Sequence, residues 1–308
     1  MSIMVQFVLL ALGFAMLIKG ADWFVDGASG IARRFGIPQL VIGLTIVAMG
    51  TSAPEAAVSI TAAFRDNAGI TIGNVVGSNI LNILIILGVS SVIVPLAVAR
   101  STIRAEIPFM TAVTVLLLGL GWDGTVSLAD GVILTAAFVV YLTYLFVMAK
   151  KHPEPEAEAD TLPPPGKAVL GLVVGLVLIV WGSDVTVDAA AALARFFGMS
   201  ERFIGLTIVA LGTSLPELFT SVTAARRGNA DIAIGNIVGS NIFNILFVVG
   251  LSALLVPVPF AAAFRFDVLA AAGAGVLLLL CCVRNRKLGR KAGVLLLAAY
   301  VVYFCAIL

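Results

Sequence analysis

Two polar hexamers interrupt apolar stretches of the chain and supply its candidate ion ligands. They are GTSAPE at 50–55 and GTSLPE at 212–217. The apolar run 37–64 would otherwise predict a membrane helix, which puts Glu55 near the middle of a bilayer. A carboxylate at that depth costs on the order of 2.5–3.5 kcal/mol even on a permissive insertion scale, so we expect it to serve a purpose.

The glycine and the proline of each hexamer predict a break in the helix. Proline lacks a backbone N–H and clashes with the carbonyl group one turn before it, while glycine frees the backbone. A break turns carbonyl oxygens and two hydroxyl groups toward the glutamate. Such oxygens suit a hard cation such as Na⁺ or Ca²⁺. We therefore interpret each hexamer as half of an ion site.

A second polar stretch follows each hexamer, GNVVGSNILN at 73–82 and GNIVGSNIFN at 235–244. Residues four apart share one face of a helix. The residues that share a face in this way are Ser78 with Asn82 and Ser240 with Asn244. Their neutral oxygens, opposite a carboxylate, complete a cation cage. The alternative interpretation, that small and amide residues only join helices in the membrane, is weightier for the other four asparagines. These are Asn74, Asn79, Asn236 and Asn241.

The composition is that of an all-α integral membrane protein. Of the 308 residues, 61% are hydrophobic and 12% are charged, whereas a soluble domain has roughly 25% charged residues. The net charge of +2 does not favour a nucleic-acid partner. Ten segments approach the roughly 20 residues that cross a bilayer. They are 3–19, 37–64, 70–94, 105–121, 126–149, 168–188, 199–225, 232–256, 268–283 and 292–308.

An internal repeat organises these segments. A shift of 162 residues carries position 50 onto 212, and 33 of the 50 positions in 41–90 are then identical to 203–252. Each copy holds five segments, and an odd number forces the second copy to enter the membrane from the opposite side. The sequence therefore predicts two inverted five-helix repeats, 1–149 and 168–308. Helices 2 and 7, and also 3 and 8, are expected to be broken around a central site, the architecture of secondary transporters.

The stretch 150–167 between the repeats is rich in proline and acidic residues, and we expect a disordered cytoplasmic linker. His152 lies there, and we interpret it as a solvated residue. If the linker is cytoplasmic, 15 of the 19 basic residues share its side, which the positive-inside rule requires. Both termini then face outward across the plasma (inner) membrane. Acidic residues near the segment ends are interpreted as interfacial or capping. They are Asp22, Asp26, Asp184 and Asp188.

The paired hexamers and the paired Gly-Asn-x-x-Gly-Ser-Asn-Ile stretches resemble the two alpha-repeats of the calcium/cation antiporter superfamily. The resemblance is strongest to its compact prokaryotic sodium/calcium exchangers, and it is specific in 41–90 and 203–252. It implies that Glu55 and Glu217 bridge a Ca²⁺ site and share flanking Na⁺ sites. It also implies that a gating bundle, spans 1 and 6, slides against the rest of the protein.

The ion-binding positions that the resemblance implies form two matched sets. The first is Ala48, through its carbonyl group, with Thr51, Ser52, Glu55, Ser78 and Asn82. The second is Ala210 with Thr213, Ser214, Glu217, Ser240 and Asn244. The hydroxyl groups and the two alanine carbonyls would serve mainly Na⁺.

One departure from the superfamily pattern bears on coupling. Some members, including potassium-dependent ones, have aspartate where this chain has Asn244. Two glutamates alone balance one Ca²⁺, so exchange for more than two Na⁺ should be electrogenic. The neutral amides weaken the case for K⁺ co-transport, and neither Gly-Asn-x-x-Gly stretch holds the acidic residue typical of proton-coupled relatives.

The sequence therefore predicts a secondary active antiporter that exports Ca²⁺ in exchange for Na⁺. The alternatives are an antiporter coupled to H⁺ or K⁺, a cation channel and a non-transporting membrane scaffold; Mn²⁺ also accepts oxygen ligands. We expect no enzyme activity and no cofactor, since there is no phosphate-binding loop. The expected partners are Na⁺, Ca²⁺ and the lipid bilayer, and a monomer is expected to suffice for transport.

Overall fold

The computed structural model describes residues 3–64, 68–151, 153, 164–199 and 210–307, which are almost entirely helical. In chain order the helices are α1 Ile3–Arg34, α2 Gln39–Ile42, α3 Ala48–Thr51, α4 Ala53–Phe64, α5 Gly69–Leu81, α6 Leu87–Ile93, α7 Ile107–Leu120, α8 Leu128–Lys151, α9 Pro165–Phe196, α10 Ala210–Gly212, α11 Leu215–Arg226, α12 Ala230–Phe243, α13 Gly250–Leu255, α14 Phe264–Val283 and α15 Arg290–Ile307. The described chain also has the π-helical segments π1 Gly43–Val47, π2 Asn82–Ile86, π3 Thr102–Glu106 and π4 Asn244–Val249.

Eight helices of the described chain are long and apolar enough to cross a membrane, and the bent pair Gln39–Thr51 and Ala53–Phe64 raises the number to nine. This agrees with the prediction of an integral membrane protein. The seventh predicted segment, 199–225, overlaps residues 200–209, which lie outside the described residues. The number of ten therefore stays a prediction. Most of the predicted linker, together with His152, also lies outside them.

The two longest helices extend well beyond their predicted segments. The segments 3–19 and 168–188 become the 32-residue helices α1 and α9. The two helices pack closely because glycines face backbone across the interface: a Cβ atom on Gly175 would lie 2.5 Å from the Phe24 nitrogen and 2.7 Å from the Gly20 oxygen. Local hydrophobicity predicts that both helices end near their acidic residues. The packing of α1 on α9 stabilises the helices beyond those residues.

The break predicted in the second span is confirmed. Helix α3 ends at Thr51, α4 starts at Ala53, and their axes differ by 49°. Ser52 between them leaves helical geometry, with φ −84° and ψ 8°. In the second copy Ser214, with φ −92° and ψ 4°, precedes α11, whose first turn contains Pro216. Proline is well tolerated in a first turn, where its missing N–H has no partner to lose.

The breaks predicted in the third and eighth spans are wrong. Gly69–Ile93 and Ala230–Leu255 are each one uninterrupted helix and are the most buried of the candidate spans. Neither holds a proline in its interior, so the helix has no reason to end there. Instead each widens into a π-helical segment that begins at Asn82 or Asn244. Such π-bulges are common at functional sites.

Two short strand pairs qualify the all-α prediction. Leu96–Ala97 pairs antiparallel with Lys287–Leu288, and Thr125–Val126 pairs with Val258–Pro259. Each pair joins a loop of the first half of the chain to a loop of the second. The strands form where two extended connections lie side by side. Because the two connections are far apart in sequence, no local pattern predicts the pairing.

The substitution Gly175→Val should lower the stability of the protein by about 2–3 kcal/mol, because the added carbons must displace the backbone of α1. The measurement is the thermal unfolding midpoint of the protein purified in detergent.

Gly119→Val is the matched control, since a Cβ atom at Gly119 would meet nothing within 4 Å. Equal midpoints for the two variants would contradict the close packing of α1 and α9.

Candidate functional site

Two carboxylates lie in the interior, each in the first turn of a helix that starts just after a break. Glu55 lies in the first turn of α4 and Glu217 in that of α11, and neither side chain is exposed to solvent. The positive end of a helix dipole lies at its N-terminus and favours a negative charge there. The two breaks therefore bring both charges to a position where the backbone stabilises them.

Each carboxylate has one oxygen that accepts a hydrogen bond and one that has no partner. The Ser78 hydroxyl donates to Glu55 Oε1 at 3.1 Å, and the Ser52 hydroxyl donates to Glu217 Oε1 at 2.8 Å. The Oε2 atoms of Glu55 and Glu217 are buried without a hydrogen-bond partner. The two carboxylates are close enough for their negative charges to repel each other.

The two asparagines that start the π-helical segments present free amide oxygens. Asn82 Nδ2 donates to Asn241 Oδ1 at 3.0 Å, and Asn244 Nδ2 donates to Asn79 Oδ1 at 3.1 Å. These bonds hold each amide by its nitrogen and fix its orientation. The Oδ1 atoms of Asn82 and Asn244 remain buried without a partner.

Asn79 and Asn241 join α5 to α12 by a reciprocal exchange. Asn79 Nδ2 donates to the Asn241 carbonyl and Asn241 Nδ2 donates to the Asn79 carbonyl, both at 3.1 Å. The interpretation of these residues as helix-joining asparagines is therefore confirmed. They also orient the side-chain amides of Asn82 and Asn244, which are predicted ligands, and the sequence does not show this second role.

The result is a set of four buried oxygens without partners, two from carboxylates and two from amides. A buried polar group without a hydrogen bond is costly, and a buried charge is more so. The described residues contain no group of three or more His, Cys, Asp or Glu side chains that could hold a metal ion. A cation bound here therefore relies on two carboxylates, with neutral oxygens completing its shell.

The remaining predicted ligands surround this set. The Thr51 hydroxyl donates to Asn236 Oδ1 at 3.0 Å, and the Ser240 hydroxyl donates to the Ala48 carbonyl at 3.3 Å. The Ser214 hydroxyl lies 3.3 Å from that of Ser78, which already contacts Glu55.

For two predicted ligands, Thr213 and Ala210, the described residues show no hydrogen bond to the glutamates. Thr213 is half-buried and makes no hydrogen bond to another described residue. Ala210 is the first residue of α10, directly after the undescribed stretch 200–209. Their roles stay predictions.

Sequence reasoning missed two serines that support the site. Asn74 Nδ2 bonds Ser59 at 3.0 Å, and Asn236 Nδ2 bonds Ser221 at 2.9 Å. The same amide groups also donate to the backbone carbonyls of the two glutamates. The available signal was that each serine lies four residues after its glutamate in both copies.

Asp22 and Asp26 lie inside α1, so their interpretation as capping residues is wrong, whereas an interfacial position stays a prediction. Both form salt bridges with Arg227, which directly follows α11. Asn229 adds a hydrogen bond of 3.0 Å to Ser29. The partner lies about 200 positions away in sequence, so local spacing gave no sign of it.

Comparisons with known proteins show the family of this chain. The family model described as "Sodium/calcium exchanger protein" matches residues 5–147 and 167–308. The chain belongs to the sodium/calcium exchanger family. The sodium/calcium exchanger MaX1 of Methanosarcina acetivorans is 32% identical over 98% of both chains. The inner membrane protein YrbG of Escherichia coli is 38% identical over 96% of this chain and 94% of its own length.

A solved structure gives the same answer for the fold. The sodium-calcium exchanger NCX_Mj, soaked with 10 mM Na⁺ and no Ca²⁺, matches with a TM-score of 0.87 at 32% identity over the whole of both chains. This member of the sodium/calcium exchanger family is therefore a multi-pass membrane cation antiporter. The family is one of transporters and not of enzymes.

The substitutions Asn79→Ala and Asn241→Ala should each lower stability by about 1–3 kcal/mol, because each leaves buried polar groups unpaired. Each should also weaken cation binding, since Asn244 or Asn82 loses the partner that orients it. The measurements are the thermal unfolding midpoint and the Ca²⁺ affinity of the purified protein.

Thr114→Val is the matched control, because the buried Thr114 hydroxyl bonds only to the Met110 carbonyl of its own helix. An effect of one asparagine substitution without the other would contradict the reciprocal arrangement.

Proposed function

We propose that this antiporter exports Ca²⁺ in exchange for Na⁺ by alternating access. The observation that carries the proposal is the set of four buried, unpartnered oxygens of Glu55, Glu217, Asn82 and Asn244. Two carboxylates neutralise one Ca²⁺, and the amide oxygens supply further ligands of the kind that Ca²⁺ prefers. All four belong to one chain, so a single copy suffices for the site.

Na⁺ competes for the same region through the neighbouring oxygens. The Ser52 and Ser78 hydroxyls lie against the glutamates and can rotate toward a bound ion. The other proposed Na⁺ ligands are Thr51, Thr213, Ser214, Ser240 and the carbonyls of Ala48 and Ala210. Overlapping ligand sets mean that filling one site weakens the other, which is the basis of exchange.

The proposed architecture is ten spans in two inverted repeats, 1–149 and 168–308, joined by a cytoplasmic linker. Contacts that repeat after a shift of 162 residues support it, such as the mutual bonds of Asn79 and Asn241. The strand pairs support it too, since Leu96 and Val258 are equivalent and each pairs with a loop of the other half. The excess of basic residues on one side supports a cytoplasmic linker, with both termini outside the plasma membrane.

The helix pair α1 and α9 is the proposed moving bundle. Both helices cover the site: a Cβ atom on Gly50 would lie 3.2 Å from the Phe24 ring, and the Ser183 hydroxyl donates to the Gly212 carbonyl at 2.6 Å. Because α1 and α9 pack tightly on each other, they can shift together and open the site to either side. Ions drive this shift only through different affinities for the two states.

Replacing Glu55 or Glu217 with glutamine should reduce Ca²⁺ transport to background, because one charge cannot balance a divalent ion in a buried site. The assay uses liposomes loaded with Na⁺ and diluted into Na⁺-free buffer, with radioactive Ca²⁺ uptake measured while K⁺ and pH are varied.

Asp267→Asn is the control, since Asp267 lies in α14 and bonds Tyr303 instead of the site residues. Wild-type uptake by either glutamine variant would contradict the proposed site. Uptake driven by a proton or K⁺ gradient but not by Na⁺ would replace the coupling ion, and currents that need no counter-ion would indicate a channel.

Exchange should also carry net charge, because more than two Na⁺ moving against one Ca²⁺ transfers positive charge. An inside-positive potential, set with valinomycin and external K⁺, should accelerate Na⁺-driven Ca²⁺ uptake severalfold, as one charge crossing 100 mV is worth about 2.3 kcal/mol. Uptake that is independent of the potential would indicate two Na⁺ per Ca²⁺.

A further inference from the structure

A third buried carboxylate lies away from the ion site, beside a cavity of about 250 Å³ between the π3–α7 helix and α8. Its lining residues are Ala105, Glu106, Phe109, Val140, Tyr141 and Tyr144. Glu106 is only 1% exposed, and it ends the π-helical segment π3. An ionisable side chain inside a membrane protein is expensive, which makes it a candidate for a binding role.

The hydrogen bonds around Glu106 are incomplete. The Tyr144 hydroxyl donates to Glu106 Oε1 at 2.6 Å, while Glu106 Oε2 and the Tyr141 hydroxyl are buried without partners. None of the described residues forms an ion pair with Glu106. The residues that border the cavity therefore include a carboxylate without a counter-charge, and two of their oxygens, Glu106 Oε2 and the Tyr141 hydroxyl, have no hydrogen-bond partner.

A tyrosine–carboxylate hydrogen bond that only joins two helices does not explain why these two oxygens lack partners. The second half holds a related tyrosine–carboxylate pair, in which the Tyr303 hydroxyl donates to Asp267 at 2.9 Å. A shift of 162 residues carries Glu106 onto Val268, next to Asp267, and Tyr141 onto Tyr303. Tyr303 lines a cavity of about 270 Å³ together with Val302 and Ala306, the equivalents of Val140 and Tyr144. Asp267 is partly exposed, and neither of its oxygens is buried without a partner. In the second half the carboxylate has no buried oxygen without a partner, whereas in the first half Glu106 Oε2 and the Tyr141 hydroxyl have no partner.

The chemistry of the cavity fits a primary ammonium group. A carboxylate favours a charged N–H donor, and such bonds are stronger than neutral ones. Aromatic faces add attraction for an organic cation, and the Phe109 and Tyr141 rings here stack at 5.5 Å. A bare metal ion fits poorly, because Ca²⁺ needs six or more oxygen ligands and the cavity offers one carboxylate with two phenols.

The cavity is reached from the lipid side of the bundle. Val140 on its rim is 67% exposed, and α8 carries other exposed apolar side chains along the same helix. Arg104, two residues before Glu106, is exposed, and Lys150 and Lys151 end α8. Basic residues at helix ends mark the level of the lipid head groups, so the cavity lies on the head-group side of the bundle, next to the end of α8.

We propose that this cavity binds the ammonium head group of a phosphatidylethanolamine lipid through Glu106 Oε2 and the Tyr141 hydroxyl. The site is separate from the transported ions, and the proposal does not depend on which ions the protein exchanges. Phosphatidylcholine has no N–H donor to offer these acceptors, so the site distinguishes the two lipids.

The test uses the full-length protein, delipidated in detergent, and native mass spectrometry with lipids of matched acyl chains. The wild type should bind phosphatidylethanolamine about tenfold or more tightly than phosphatidylcholine or phosphatidylglycerol, the effect expected of a hydrogen bond to a charged group. Glu106→Gln should abolish this preference, while the control Asp267→Asn should keep it.

Tyr141→Phe is the second variant. It tests the lipid preference if the thermal unfolding of Glu106→Gln shows that this variant does not fold. Tyr141→Phe should reduce the preference by removing one acceptor while leaving the ring in place. Equal binding of the lipids by the wild type, or a preference that survives in whichever of these variants folds, overturns the proposal.

Discussion

The structure depends on one constraint, the cost of holding two carboxylates inside an apolar bundle. Glu55 and Glu217 are fully buried, and each has a single hydrogen-bonded oxygen. The helix breaks reduce this energetic cost, because they place each charge at a helix N-terminus. The remaining cost falls on the two free oxygens. In the proposed site a bound cation removes this cost, so that cation binding would also stabilise the centre of the protein.

Each half of the chain also completes the other. Asn79 and Asn241 exchange hydrogen bonds across the helix pair α5 and α12, and each also accepts a hydrogen bond from the side-chain amide of Asn244 or Asn82 in the opposite half. The carboxylate contacts are less symmetric, since Ser78 bonds Glu55 of its own half whereas Ser52 bonds Glu217 of the other. The amide hydrogen bonds are thus repeated in both halves, whereas the hydroxyl contacts to the two carboxylates differ.

The sequence predicts the chemistry of the centre better than the shape of the helices. The hexamer break at Ser52 follows from proline and glycine, and duplication identifies the buried glutamates and asparagines. The continuity of the third and eighth spans could have been predicted from their lack of an interior proline, whereas the π-helical turn at Asn82 leaves no compositional mark. The true length of α1 depends on tertiary contacts, namely glycine packing against α9 and the pairing of Asp22 with Arg227. Such partners lie too far apart in sequence for periodicity to reveal.

The most direct test of the central claim is calorimetric titration of Ca²⁺ into the purified protein at increasing Na⁺ concentrations. If the four free oxygens form one site shared by both ions, one Ca²⁺ binds per chain and its apparent dissociation constant rises with Na⁺. The rise should be steeper than linear, because more than one Na⁺ displaces each Ca²⁺. Ca²⁺ binding that is unaffected by Na⁺, or that persists when both Glu55 and Glu217 are replaced by glutamine, would contradict the account.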